Sequence, residues 1–274
     1  MSPLSISREA RMKSSIFVSA MAAAVLSLAG CVTPVARPAA PDHPLLVRAE
    51  QCMLSGDDDQ ALKLYRSYRE GFRPSPLESE CHYWEGTIHL KKGRVDDAER
   101  SFGACISNPR SHFIEAEASI GLGDCRFVSD DYSGAITSYQ RALDLRVPDA
   151  RNDYALYRLG VARQRLGDWD AGRSCYQLIL RDMKKSPLAQ RAEQRLRYPD
   201  RFMHYQVGAF QAEDGAQRLE RALHAKGLIA RTVNLANGPA PYLVWVGDYP
   251  TFAHAAQARD EVKKLCGDEV VLVP

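Results

Sequence analysis

Val207-Gly208-Ala209-Phe210 returns 39 residues later as Val246-Gly247-Asp248-Tyr249, and the chain around each copy has the same layout. Each copy opens in an apolar strand, breaks at a glycine, runs into an amphipathic helix and leaves through a second β-branched stretch. The first unit reads as a strand over Tyr205 to Val207, a helix from about Ala212 to Lys226 and a strand from Leu228 to Leu235. The second reads Tyr242 to Val246, a helix from about Phe252 to Leu265, then Glu269 to Val273. Two such halves in about 73 residues predict a small α+β domain of βαββαβ order, with one helix pair lying on one sheet.

Strand alternation sorts the side chains. Tyr205 and Val207 share a face with Val244 and Val246, which should point at the helices. His204, Gln206, Leu243 and Trp245 then share the other, open face, where an exposed tryptophan calls for a partner. An indole stacks on the apolar C–H face of a sugar ring, and an amide and an imidazole beside it can bond the ring's polar rim. Cover of Trp245 by the solenoid, by the Asn237-Gly238-Pro239 loop or by a dimer mate is the structural alternative.

The layout and its V-G-A-F and V-G-D-Y turns resemble a SPOR domain, a small envelope module that binds peptidoglycan. Gln206 and the two Val-Gly turns match that family's pattern, whereas Leu243 and Trp245 depart from the polar or basic residues often seen in that strand. The resemblance covers about Phe202 to Val273 and implies affinity for glycan strands stripped of peptide stems. RNA-recognition modules share the strand order. Residues 202–274 hold seven Lys or Arg against eight Asp or Glu, a balance that excludes the basic surface RNA needs.

The middle of the chain is a repeat. Ala61, Ala98, Ala135 and Gly172 are each 37 apart, and an aromatic follows four residues on: Tyr65, Phe102, Tyr139, Tyr176. Ala49, Gly86, Gly123 and Gly160 keep the same period upstream, with a turn signal between the two series. Small residues flanking a turn let antiparallel helices approach closely, and the aromatic fills the seam. Four hairpins over residues 44–185 predict an all-α solenoid. It resembles tetratricopeptide repeats, best in the fourth hairpin, with Gly160, Gly167-Asp168-Trp169 and Tyr176. Tyr83, Ile120 and Tyr157 lie on a stripe that is either core or the floor of a groove for a partner protein. Residues 186–201 read as a linker with a capping helix near Leu188 to Arg197, and the segment Arg181 to Arg201 carries seven basic and three acidic residues.

Arg8, Arg11 and Lys13 precede fifteen apolar or small residues from Ile16 to Gly30. That is short of the ~20 a membrane-spanning helix needs, so residues 1–30 read as a secretory signal. Leu28-Ala29-Gly30-Cys31 resembles a bacterial lipobox, which implies lipidation of Cys31. Val32 after it implies an outer-membrane address by family analogy. Met12-Lys13-Ser14-Ser15 offers an alternative start. Without residues 1–30 the chain carries 33 basic and 33 acidic residues, so no polyanion argument rests on net charge. Pro34, Pro38 and Pro41, with Pro44 closing the stretch, make residues 31–43 an extended tether reaching roughly 37 Å.

Six cysteines follow Cys31. Cys81 and Cys105 lie twelve residues on either side of Gly93 and are the best-placed pair for a disulfide; buried free thiols are the alternative. No CxxC, HExxH, GxSxG or phosphate loop occurs, and the histidines are scattered, so neither a metal, a cofactor nor a catalytic residue is expected. The chain therefore reads as a non-enzymatic multidomain lipoprotein of the outer membrane, facing the periplasm. It would bind glycan at its C-terminus and an envelope protein through its repeats, in cell division or envelope organisation, without nucleic acid. A purely protein-binding adaptor is the alternative.

Overall fold

The computed structural model describes residues 43–198, 200–235 and 240–274. The signal segment, Cys31, the tether up to residue 42 and the Asn237-Gly238-Pro239 loop lie outside the described residues. The described chain falls into two compact units, one of residues up to 163 with 170–192 and one of 164–169 with 193–274.

The first unit is built from helical hairpins: α1 (Pro44–Ser55) with α2 (Asp58–Gly71), α3 (Glu78–Lys91) with α4 (Val95–Ser107), α5 (His112–Val128) with α6 (Tyr132–Asp144), and α7 (Asn152–Arg165) with α8 (Trp169–Asp182). The period is carried by the turns. Gly56, Gly93, Asp130 and Gly167 all adopt left-handed backbone, with φ of 83, 71, 59 and 86°. In the first three the next residue's N–H bonds back across the helix end, Asp57 to the Cys52 carbonyl, Arg94 to His89 and Asp131 to Arg126, which closes each first helix. The seams explain the small residues. A Cβ on Gly86, Gly123 or Gly160 would sit 2.8, 2.6 or 2.7 Å from the ring of Phe102, Tyr139 or Tyr176. A ninth helix, α9 (Ala189–Arg197), follows, with Ala192 buried.

Two alternatives left open by the sequence resolve here toward core and toward free thiols. Tyr83, Ile120 and Tyr157 are all buried, so in this conformation none is open to a partner and the stripe is core. Cys81 and Cys105 are free. Cys81 packs with Leu46, Ala49 and Ala61 of the preceding hairpin, whereas Cys105 packs with Ile114 and Ala118 of the following one. The two thiols serve opposite seams of the solenoid, and level position along a hairpin does not make them face each other.

In the second unit β1 (Met203–Phe210), β2 (Ala230–Asn234), β3 (Tyr242–Tyr249) and β4 (Val271–Val273) form one antiparallel sheet in the order β2-β3-β1-β4. Helices α10 (Glu213–His224) and α11 (Phe252–Cys266) pack on one face. Tyr205, Val244 and Val246 meet Ala216, Leu223, Ala255 and Val262 there, and the Tyr205 hydroxyl donates to the Ala255 carbonyl at 2.7 Å. The Val-Gly pairs do not end the strands, as the sequence suggested; they bulge them. Gln206 and Gly208 face Trp245 and Val244, and Met203 and Tyr205 face Tyr249 and Val246, so each strand holds an extra residue once. Gly247 supplies the second bulge with φ of 76°, a conformation that other residues reach only at a cost.

Candidate functional site

The sheet face away from α10 and α11 is assembled by register. Arg231 of β2 pairs with Trp245 of β3, Trp245 with Gln206 of β1, and Gln206 with Val271 of β4. Cross-strand partners share a face, so this row spans the whole sheet. Val233, Leu243 and Ala209 form the next row, packed in one cluster with Trp245, Val271 and Val273.

The predicted quartet of His204, Gln206, Leu243 and Trp245 is thus brought together on the predicted side. It is not open. His204 and Trp245 are 0 % exposed, Gln206 4 % and Leu243 6 %. Three groups lie against the indole. The His204 ring is nearly parallel to it, with centroids 4.8 Å apart. Tyr198, just beyond α9, is stacked with it at 5.7 Å and 13°. The Arg231 guanidinium lies 5.5 Å from the ring centre. The indole Nε1–H is buried with no hydrogen-bond acceptor among the described residues.

Around His204 the polar groups are closely matched. Its Nδ1–H donates to the Gly247 carbonyl at 2.6 Å, which leaves Nε2 to accept from Arg231 at 2.9 Å. Those partners select the neutral ring. Burial holds its pKa below the ordinary 6.5, and the Arg231 charge acts in the same direction against the opposing Gly247 carbonyl, Asp248 and Asp200. Arg231 is itself ion-paired to Asp200 and lies 3.5 Å from Asp248. The bulge at Gly247 is what brings its carbonyl and Asp248 to the imidazole.

Sequence reasoning missed Tyr198 and Arg231. Arg231 was recoverable from alternation on β2 once its pairing with Trp245 was known. Tyr198 had no periodic signal at all.

In the solenoid the missed feature is a buried ionic network. Glu117, fully buried, accepts from the Arg151 backbone N–H at 2.9 Å, from Arg151 Nε at 2.7 Å and from the Tyr83 hydroxyl at 3.4 Å. Asp124 accepts from the hydroxyls of Tyr139 and Tyr154 at 2.6 and 3.0 Å and from Arg158 Nε at 3.1 Å. Glu80, one period before Glu117, bonds Arg110 in the same way, so the repeat itself held that clue. An open groove of about 690 Å³ lies between Pro148–Asp153 and Arg181–Ser186, with Lys184 and Lys185 exposed on its rim. Among the described residues no His, Cys, Asp and Glu cluster is placed to hold a metal ion.

Residues 199–272 match the SPOR domain family, and residues 154–182 match a tetratricopeptide repeat family. The second match falls on the fourth hairpin. Among solved structures, a crystal structure of MamA is similar at 24% identity over 54% of this chain and 80% of that one, with a TM-score of 0.44. A second MamA structure is similar at 20% identity, 84% and 96% coverage and a TM-score of 0.45. A tetratricopeptide repeat protein from Parabacteroides merdae gives 18%, 56% and 57%, and 0.49. No curated protein matches the chain. The architecture is a tetratricopeptide-like solenoid followed by a SPOR-type sheet domain, and both families are typically binding modules without catalytic function.

Proposed function

We propose that this chain is a lipoprotein, anchored through Cys31 in the outer membrane and facing the periplasm, that binds peptide-free peptidoglycan glycan through its C-terminal sheet and recruits an envelope protein through its repeats. One observation carries the reading: within the SPOR-matched segment, Arg231, Trp245 and Gln206 form a single cross-strand row with His204 beside it. An indole offers a sugar its flat apolar partner, and the Gln206 amide and the partly exposed Arg231 guanidinium beside it offer bonds to a sugar's polar rim, with His204 holding Arg231 in place. The lipid and the glycan site joined in one chain raise the effective concentration of each attachment for the other. The repeat groove, lined by Arg181, Lys184 and Lys185 together with Asp153 and Asp182, offers a polar protein segment a site of mixed charge.

The test is co-sedimentation of the chain from residue 32 onward with amidase-treated, peptide-free peptidoglycan. Wild type should pellet, and Trp245→Ala, checked for folding by circular dichroism, should not. Equal pelleting of the two would remove the sheet face as the site. Cys31→Ser in the full chain should move the protein from the membrane to the soluble fraction. A purely protein-binding adaptor is the second reading, favoured by the complete burial of Trp245.

A further inference from the structure

Building on the glycan reading, we propose that Tyr198 is an internal cap that occupies the sugar-stacking surface of Trp245, so that glycan and Tyr198 compete for the same indole.

The geometry is that of a ligand in place. The Tyr198 and Trp245 rings are 13° from parallel with centroids 5.7 Å apart, a spacing that leaves no room for a sugar ring between them. Tyr198 is only half-buried, while the indole beneath is fully buried. The cap therefore forms the outer layer of the stack and the tryptophan the inner one. Tyr198 belongs to the same compact unit as the sheet but to none of its strands. The SPOR match begins at residue 199, and Tyr198 follows directly on α9, which ends at Arg197. Tyr198 thus lies outside every strand, and turning its side chain away uncovers the face without disturbing any of them.

The polar groups agree. A phenol ring covers the indole face but gives its N–H nothing to bond, and that N–H has no acceptor among the described residues. A buried donor without a partner is a standing cost. A glycan strand is longer than the ring it stacks, and a hydroxyl of an adjoining sugar can accept from the N–H at the indole's edge. Arg231 and His204, by contrast, are also held from β3, by Asp248 and the Gly247 carbonyl, so the rest of the face stays assembled when the cap leaves. One aromatic stack is worth roughly two- to tenfold in an equilibrium, enough to tune affinity and too little to abolish it.

The experiment measures binding of peptide-free glycan by the chain from residue 32 onward in four forms: wild type, Tyr198→Ala, Tyr198→Phe and Trp245→Ala. The cap predicts that Y198A binds roughly two- to tenfold tighter than wild type, that Y198F matches wild type because the ring is retained, and that W245A loses binding. If Y198A binds equally or more weakly while W245A fails, the cap is overturned and the glycan site stands. If no form binds, the glycan reading falls, and competition with it. A second readout needs no glycan. In fluorotryptophan-labelled chain the Trp245 fluorine signal, assigned by its loss in Trp245→Phe, should gain a water-isotope shift in Y198A. An unchanged signal means that Tyr198 does not cover the indole, which overturns the cap. Should Y198A fail to fold, Tyr198→Leu takes its place in both measurements, with the same outcomes deciding.

Discussion

Two buried polar clusters, one in each unit, are satisfied to different degrees. In the solenoid Glu117 and Asp124 each gather several donors, from Arg151 and Tyr83 in one case and from Tyr139, Tyr154 and Arg158 in the other. On the sheet face a buried indole N–H has no acceptor among the described residues, and a neutral imidazole is pressed between an arginine and two carboxylates. A saturated network locks neighbouring hairpins in register and offers nothing to a newcomer. An unsaturated one costs stability and leaves a bond to be made, which is what a binding face requires.

The strongest way to break this comparison is Glu117→Ala. Removing a buried carboxylate leaves Arg151 and Tyr83 without their acceptor, and the solenoid should lose about 3 kcal/mol, read as a lower urea midpoint. A loss below about 1 kcal/mol would mean that the network is not saturated structure.

Next comes pH. His204 has its folded pKa below the unfolded value of 6.5. The unfolded chain therefore takes up the proton first, and the stability owed to the neutral ring is present above about 6.5 and lost as pH falls below it. The melting temperature of the second unit should fall with acid across that window, and His204→Gln should flatten that fall. A wild-type profile that is level there would sink the neutral-ring assignment.

Trp245→Phe should change stability by less than about 1 kcal/mol, because the N–H it deletes makes no bond and the stack is largely kept. A larger loss would show that the indole N–H is satisfied in solution.

The smallest expected effect is on the thiols. Burial pushes Cys81, Cys105 and Cys125 up to about 12, so a thiol reagent should reach half-buried Cys52 and Cys266 first. Intact mass after alkylation should not change on prior reduction. With the chain denatured for alkylation in both samples, a gain of two alkyl groups on prior reduction would reinstate a disulfide.

Much of this was legible in the residues. The period of 37 placed Gly56, Gly93, Asp130 and Gly167 at the turns, and the paired glycine and aromatic series placed Phe102, Tyr139 and Tyr176 in the seams. Alternation put Tyr205 and Val246 under the helices and His204 with Trp245 on the opposite face. These are local properties: helix and strand periods decide which side chains share a face, and a repeated small–aromatic pair decides which helices meet.

Only the tertiary structure decided what each face then touches. It turned Cys81 and Cys105 toward opposite seams, buried Tyr83, Ile120 and Tyr157 in the solenoid core, and made bulges of two glycines that read as strand ends. It laid Tyr198 on Trp245 across 47 positions of chain. Exposure is set by the sum of all neighbours in space, and a single aromatic arriving from a non-repeating linker leaves no pattern in sequence that announces where it will land.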